Sequence, residues 1–146
     1  MRALLQRVSQ AFVEVDGQIV ARVERGWLIL LGVGKGDVES TAQRLADKIV
    51  ELRAFEDAAG KTNLAAADVG AQMLVVSQFT LFADTSRGRR PSFIQAARPD
   101  QARALCDAFV VRLRVRGFEV ATGVFGAHMQ VRLVNDGPFT LWLDES

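Results

Sequence analysis

Residues 27–33 read WLILLGV, six apolar side chains and a glycine without a polar break. Successive side chains of a strand point to opposite faces, so such a run needs apolar cover on both sides. A membrane-spanning helix needs about 20 such residues, far more than this run supplies. The stretch therefore predicts a central strand with one layer of structure above it and another below.

The flanking segments predict what those layers are. RALLQRVSQAFVEV (2–15) is apolar and β-branched, Asp16-Gly17 is a turn, and QIVARVE (18–24) returns as a strand. Gly32, Gly34 and Gly36 lack the spacing of a phosphate-binding loop and read as a plain turn. Asp37 is a favourable N-cap for a helix over 38–53, with Val38, Ala42, Leu45, Ala46, Ile49 and Leu52 on one face. QMLVVSQFTLF (72–82) is a further strand, continuously apolar only in its first half. Pro99 suits the first position of a second helix over 99–116. Ala102, Leu105, Cys106, Phe109, Val110 and Leu113 form its inner face. Strands over 118–124, 127–135 and 139–143 close the chain. The expected fold class is α/β, a single domain with two main helices. The strands outnumber what one sheet flanked by two helices needs, so two β layers are expected.

One element of this outline is awkward. LVNDGPFTLWL (133–143) begins as a hairpin, with Asp136-Gly137 between apolar runs. Pro138 follows where the returning strand should donate an N–H, and proline has none. Either an edge hairpin tolerates Pro138, or the Gly137–Pro138 bond is cis in a tight turn that reverses the chain.

Charge and composition exclude more than they identify. The net charge is +1, so the whole chain is no polycation. Its charge is nevertheless segregated. Residues 87–116 hold eight arginines against Asp100 and Asp107, which suggests a phosphate-rich partner. Cys106 is the single cysteine, so it forms no internal disulfide and reads as a small buried hydrophobe. That usage fits a cytoplasmic location, as does the lack of a signal-peptide core after Met1 and Arg2. No membrane association is expected.

Most catalytic arrangements are unsupported. His128 is the only histidine and alternates with Gln130 and Arg132 on the polar side of its strand. A nucleophile triad would have to use it, and nothing near it in sequence assists. One histidine and one cysteine provide too few soft ligands for zinc, and no metal or other cofactor is expected. What remains is VVSQFTLFAD (75–84), where Ser77, Gln78 and Thr80 emerge from a buried strand, SRGRRPSF (86–93), with three arginines in a Gly- and Pro-containing loop, and NDGPFT (135–140).

Together these stretches resemble the D-aminoacyl-tRNA deacylase family. The resemblance is carried by SQFTL at 77–81 and NDGPFT at 135–140, about 55 residues apart, with MRALLQRV at the start, GRRPSF at 88–93 and FGAHMQVRL at 125–133. One departure is KTNLA at 61–65, with Thr62 where the family pattern KMN has Met. The resemblance implies a homodimer of three layers, α/β/β, with mixed sheets, that hydrolyses the ester between a D-amino acid and the terminal adenosine of tRNA, and that clears glycine from mischarged tRNA. It implies a site at the subunit boundary: Gln78, Phe79 and Thr80 as catalytic positions, and Ser77, Asn135 and Met129 as substrate-binding positions. Gly137 and Pro138 would form a Gly-cisPro motif that one subunit inserts into the other's site to reject L-amino acids. Backbone N–H groups near Gln78 and Phe79 would hold the oxyanion, with the ribose 2′-hydroxyl assisting; Thr80 as nucleophile is the alternative mechanism. The alternative function is a non-catalytic RNA-binding module built on the arginine-rich segment.

Overall fold

The apolar run forms the strand it predicts, and its two faces are covered by different material. In this computed structural model, which describes residues 1–146, the chain runs β1 (Arg2–Val15), β2 (Gln18–Val23), β3 (Gly26–Gly32), α1 (Glu39–Glu51), β4 (Phe55–Glu56), β5 (Thr62–Leu64), β6 (Gln72–Ser77), α2 (Pro99–Val115), β7 (Val120–Thr122) and β8 (Gln130–Asp144), with 3₁₀ turns at Ala66–Val69 and Phe79–Phe82. Trp27, Ile29 and Leu31 of β3 face the helices, joining Leu45 and Ile49 of α1 and Phe109 and Leu113 of α2. Leu28 and Leu30 face the other way, into a second core with Leu74, Val76, Val8, Val13 and Val23. Full burial of such a side chain is worth roughly 2 kcal/mol, so both faces drive this strand to the centre.

The sheet is mixed. β3, β6 and β7 are parallel neighbours, and the connections between them carry α1 and α2. The close approach of β3 and β6 needs a residue without a side chain at its start: a Cβ on Gly26 would lie 1.8 Å from the Gln72 carbonyl oxygen.

β1 joins the two β layers. Over Arg2–Val8 it pairs antiparallel with β3, and over Ala11–Val15 with β2. Ala3 and Leu5 lie in the helix-side core, whereas Val8, Ala11 and Val13 lie in the second core. The change of face falls where its pairing with β8 slips, between Gln6 and Val8 and again between Val8 and Gln10. The three-layer α/β/β expectation describes this arrangement. No helix is long and apolar enough to cross a membrane.

Four expectations need correction. First, 133–143 is no hairpin. Gln6 pairs with Thr140 and Val8 with Asn135, so both flanks run the same way along β1 and Asp136 to Phe139 bulge out opposite Arg7. The bulge also explains the proline, which sits outside the ladder where no N–H is required. The Gly137–Pro138 bond is cis. Second, the strand expected over 72–82 ends at Ser77, and Phe79–Phe82 turns as a 3₁₀ helix. Third, residues 127–129 are loop, and β8 begins at Gln130. Fourth, Asp37 does not cap α1; its carboxylate accepts from the Gly34 N–H and the Met1 ammonium, each at 2.6 Å. Those charge-assisted bonds outcompete the helix end, where Val38 is the capping residue.

Candidate active site

A cleft of about 740 Å³ opens at the carboxyl ends of β3 and β6. Ligands bind outside the carboxyl ends of parallel strands in many α/β folds, because the chain there leaves the sheet and exposes its backbone. Here Val33 and Lys35 follow β3, Ser77 ends β6 with Gln78 and Phe79 after it, and residues 93–98 lead into α2. Phe125–Met129 close the remaining side. The strand ends are held to the 93–97 loop by backbone bonds, Lys35 N–H to the Gln95 carbonyl at 3.1 Å and Ala97 N–H to the Val33 carbonyl at 2.9 Å.

The turn after β6 presents two unpaired donors. The Gln78 N–H is the last to serve the sheet, donating to the Leu31 carbonyl at 2.8 Å. Phe79 and Thr80 begin the 3₁₀ turn, and their N–H groups have no acceptor within the chain. Adjacent free N–H groups beside a cleft can stabilise a developing oxyanion. So of the donors expected near Gln78 and Phe79, Gln78's is occupied, and the free pair is Phe79 and Thr80. The Gln78 side chain bends back, its Nε2 donating to Thr80 Oγ1 at 2.5 Å. Phe79 is 54% exposed and stacks edge to face with Phe93, ring centres 5.0 Å apart.

Ser77 and Met129 also line the cleft. Behind Ser77 lies Cys106, buried; burial pushes its thiol up to about 11 although the Ser77 hydroxyl partly opposes this. The cysteine is thus a packed thiol, not a thiolate. His128 lines the cleft mouth, where its ring nitrogen is 3.5 Å from Gln130 Nε2.

Asn135, Gly137 and Pro138 lie elsewhere. Asn135 spans the bulge: its Nδ2 donates to the carbonyls of Arg7 and Phe139 at 3.0 Å, and its Oδ1 accepts from the Phe139 N–H at 3.1 Å. Phe139 packs on Trp27, near the start of β3, whereas Ser77 pairs with Leu31 near its end. At about 3.3 Å per residue, these ends are roughly 13 Å apart along the strand. Within one chain, then, the expected site residues form two groups: Ser77, Gln78, Phe79 and Met129 lining the cleft with Thr80 beside them in the 3₁₀ turn, and Asn135, Gly137 and Pro138 on the bulge.

Arg7 is the residue that sequence reasoning missed. Alternation in β1 puts it on the face of the buried Ala3 and Leu5, where a charge is unexpected, and it is 4% exposed. Nε donates to the Asp136 carbonyl at 2.9 Å, Nη1 donates to the Ala54 carbonyl at 2.8 Å, and the guanidinium lies 4.6 Å from the centre of the Phe139 ring. No local pattern could reveal this, because every partner lies far along the chain.

Comparison with known proteins matches this geometry to a family. A D-aminoacyl-tRNA deacylase of Thermomicrobium roseum is 59% identical over 146 residues, covering 100% of this chain and 95% of that protein. One of Chloroflexus aurantiacus is 56% identical, covering 100% and 91%. A solved structure named "c-Myc DNA Unwinding Element Binding Protein" superposes with a TM-score of 0.93 at 36% identity, covering 99% of this chain and 98% of that one. Another, "a probable eukaryotic D-amino acid tRNA deacylase", gives 0.85 at 20% identity over 97% of each chain, a likeness of fold. The family model described as D-Tyr-tRNA(Tyr) deacylase matches residues 4–144, and the chain belongs to that family.

Proposed function

We propose that this chain hydrolyses the ester joining a D-amino acid to the 3′-terminal adenosine of tRNA, and that it removes glycine mischarged on tRNA(Ala) in the same site. The observation that carries the reading is the pair of free N–H groups at Phe79 and Thr80, beside a cleft and inside the SQFTL stretch. An aminoacyl ester is already activated, so positioning and one or two oxyanion donors go far. A single such donor is worth about 3 kcal/mol in other hydrolases. The ribose 2′-hydroxyl next to the ester positions or activates the water. No histidine or carboxylate is hydrogen-bonded to Thr80, which argues against a threonine nucleophile, since that needs a base.

Chiral selection then falls to the bulge of a second copy. β8 pairs only with β1, and Val134 and Trp142 on it are each 49% exposed, which supports a partner along that strand. A homodimer in which Gly137 and Pro138 of one chain reach the cleft of the other would unite the two groups of residues. Their carbonyls would take the substrate ammonium, and an L side chain would meet a wall. Such a site needs no pocket for a D side chain and accepts glycine. The cytoplasm, where tRNA is charged, is the place for this activity.

The deciding assay is hydrolysis of D-aminoacyl-, L-aminoacyl- and glycyl-tRNA by the purified protein, with its mass in solution measured alongside. Turnover of the D and glycyl esters by a dimer supports the reading. Binding of tRNA without turnover would favour the alternative, a non-catalytic RNA-binding module built on the arginine-rich segment.

A further inference from the structure

The eight arginines of residues 87–116 divide into two groups with different work. Arg112 and Arg116 are used inside the fold: Arg112 makes a two-pronged bond to Asp47 at 2.9 and 2.8 Å, and Arg116 reaches Asp47 at 2.6 Å and Glu51 at 3.3 Å. Arg114 donates to the Val120 carbonyl at 3.1 Å. These three hold α2 to α1 and to the start of β7. The other five remain exposed; Arg98 lines the cleft, and the rest stand on elements that contribute lining residues to it.

Arg87, Arg89 and Arg90 sit on a loop closed by mutual backbone bonds between Asp84 and Ser92, at 2.8 and 2.9 Å. The next residue, Phe93, lines the cleft and packs on Phe79. Arg98 lines the cleft, as does Lys35 from the end of β3. Arg103 lies over the ring of Phe125, a further lining residue, at 4.6 Å. Only Arg98 has a carboxylate neighbour, Asp100 at 3.8 Å, and both are more than 80% exposed, a pairing worth little in water. Two cations, Lys35 and Arg98, thus line an apolar, aromatic cleft, Arg103 lies over a lining ring, and Arg87, Arg89 and Arg90 occupy the loop leading to Phe93; five of the six have no ion pair, in a chain whose net charge is +1.

We propose that Lys35, Arg98 and Arg103 on one side, and Arg87, Arg89 and Arg90 on the other, hold the backbone phosphates of the single-stranded 3′ end of the tRNA as it enters the cleft. This rests on the deacylase reading and adds which residues grip the polynucleotide. Aromatic surfaces for bases combined with cations for phosphates are the usual equipment for single strands. Unpaired, exposed cations suit that use, since they give up no internal partner on binding. Arg112, Arg114 and Arg116 take no part, although sequence places them in the same basic segment.

The test uses two triple variants of the full chain, R87Q/R89Q/R90Q and K35Q/R98Q/R103Q. R22Q is the control, an exposed arginine on β2 outside the cleft. The first readout is binding of uncharged tRNA against salt concentration. Each phosphate contact on a single strand contributes about 0.7 to the slope of log K against log salt, so each triple variant should flatten the slope by about 2. The second is kcat/KM on D-aminoacyl-tRNA relative to kcat/KM on D-aminoacyl-adenosine, which carries no phosphate. That preference should fall at least tenfold, through KM, with R22Q at the wild-type value and the triple Arg→Lys loop variant retaining most of it. Wild-type slopes in both triple variants, an equal loss on both substrates, or an equal loss in R22Q would each overturn the proposal. If the wild-type protein hydrolyses neither substrate, the deacylase reading fails, while the binding slopes still decide the rim.

Discussion

Arg7 and Asp136 stand 129 positions apart in sequence and are joined by a 2.9 Å hydrogen bond from the arginine Nε to the aspartate carbonyl oxygen. The contact fixes the bulge that carries Gly137 and Pro138, because the same guanidinium is anchored to the Ala54 carbonyl and lies over Phe139. Carboxylates of Glu56 and Asp136 at 3.7 and 3.8 Å balance its charge.

Arg7→Met should therefore destabilise the fold and misplace the bulge. Two carbonyls lose a charged donor, a loss of about 3 kcal/mol. Urea unfolding should show a lower midpoint at unchanged slope. If the bulge completes a neighbouring chain's site, D-aminoacyl-tRNA turnover under native conditions should fall about a hundredfold, the scale of a misplacement of about 1 Å. Arg7→Lys should recover only part of both, since one ammonium cannot reproduce the planar fork.

Gly137→Ala tests the same bulge from the backbone side. Gly137 has φ +152°, and a Cβ there would lie 2.6 Å from the Phe139 nitrogen. The expected cost is about 1–3 kcal/mol. Circular dichroism melting should show a lower midpoint, and turnover should drop with it. A variant as stable and active as wild type would show that the bulge tolerates a side chain.

The sequence made the sheet and helices legible because their apolar patterns are local. WLILLGV needs cover on two faces whatever surrounds it, and the inner face of α2 matches the expected residues one for one. The bulge was misread because Asp-Gly before an apolar run looks the same whether the chain turns back or steps out and continues. What separates the cases is the pairing of both flanks with β1, a contact between opposite ends of the chain. Gln78, Phe79 and Thr80 were legible as a motif. That the free donors are those of Phe79 and Thr80 depends on the Leu31 carbonyl taking the Gln78 N–H, and Leu31 is far away in sequence. The short β4–β5 pair around Thr62 left no sequence signal, being two and three residues long.

Asp47 gives a pH-dependent prediction. Its hydrogen bond from Arg112 holds its carboxyl below the usual carboxylate range, with Arg116 adding to this and partial burial opposing it. A depressed folded pKa contributes stability above the unfolded value, near 4, which is lost as pH falls through the folded value. Thermal melting of wild type and Asp47→Asn should thus differ most near pH 6, and the gap should narrow between pH 4 and pH 2. A gap of constant size across that range would show that the carboxylate charge is not what joins the helices.

Thr80→Ala should retain substantial deacylation. Thr80 Oγ1 accepts from Gln78 Nε2, so its bonding partner is a donor and no base is placed to take its proton. The substitution also keeps the Thr80 N–H, the proposed oxyanion donor. Single-turnover rates on D-aminoacyl-tRNA should fall by no more than about tenfold. A loss of about 10⁴-fold, the scale on which a triad nucleophile is missed, would make Thr80 the nucleophile.

The substrate's own 2′-hydroxyl should matter more than any one side chain of the cleft. Ser77, Gln78 and Thr80 offer hydroxyls and an amide, none of which takes a proton readily at neutral pH. His128, at the mouth, makes its one polar contact with Gln130. In the proposed mechanism the attacking water is oriented not by a protein base but by the vicinal hydroxyl of the terminal ribose. The comparison is D-aminoacyl-tRNA ending in 2′-deoxyadenosine, with the amino acid on the 3′ oxygen, against the normal end. The deoxy substrate should bind with unchanged affinity, since the phosphate contacts are intact, and turn over at least 10²-fold more slowly, the lower end of what a general base contributes. Equal rates would place the base in the protein and return His128 to consideration.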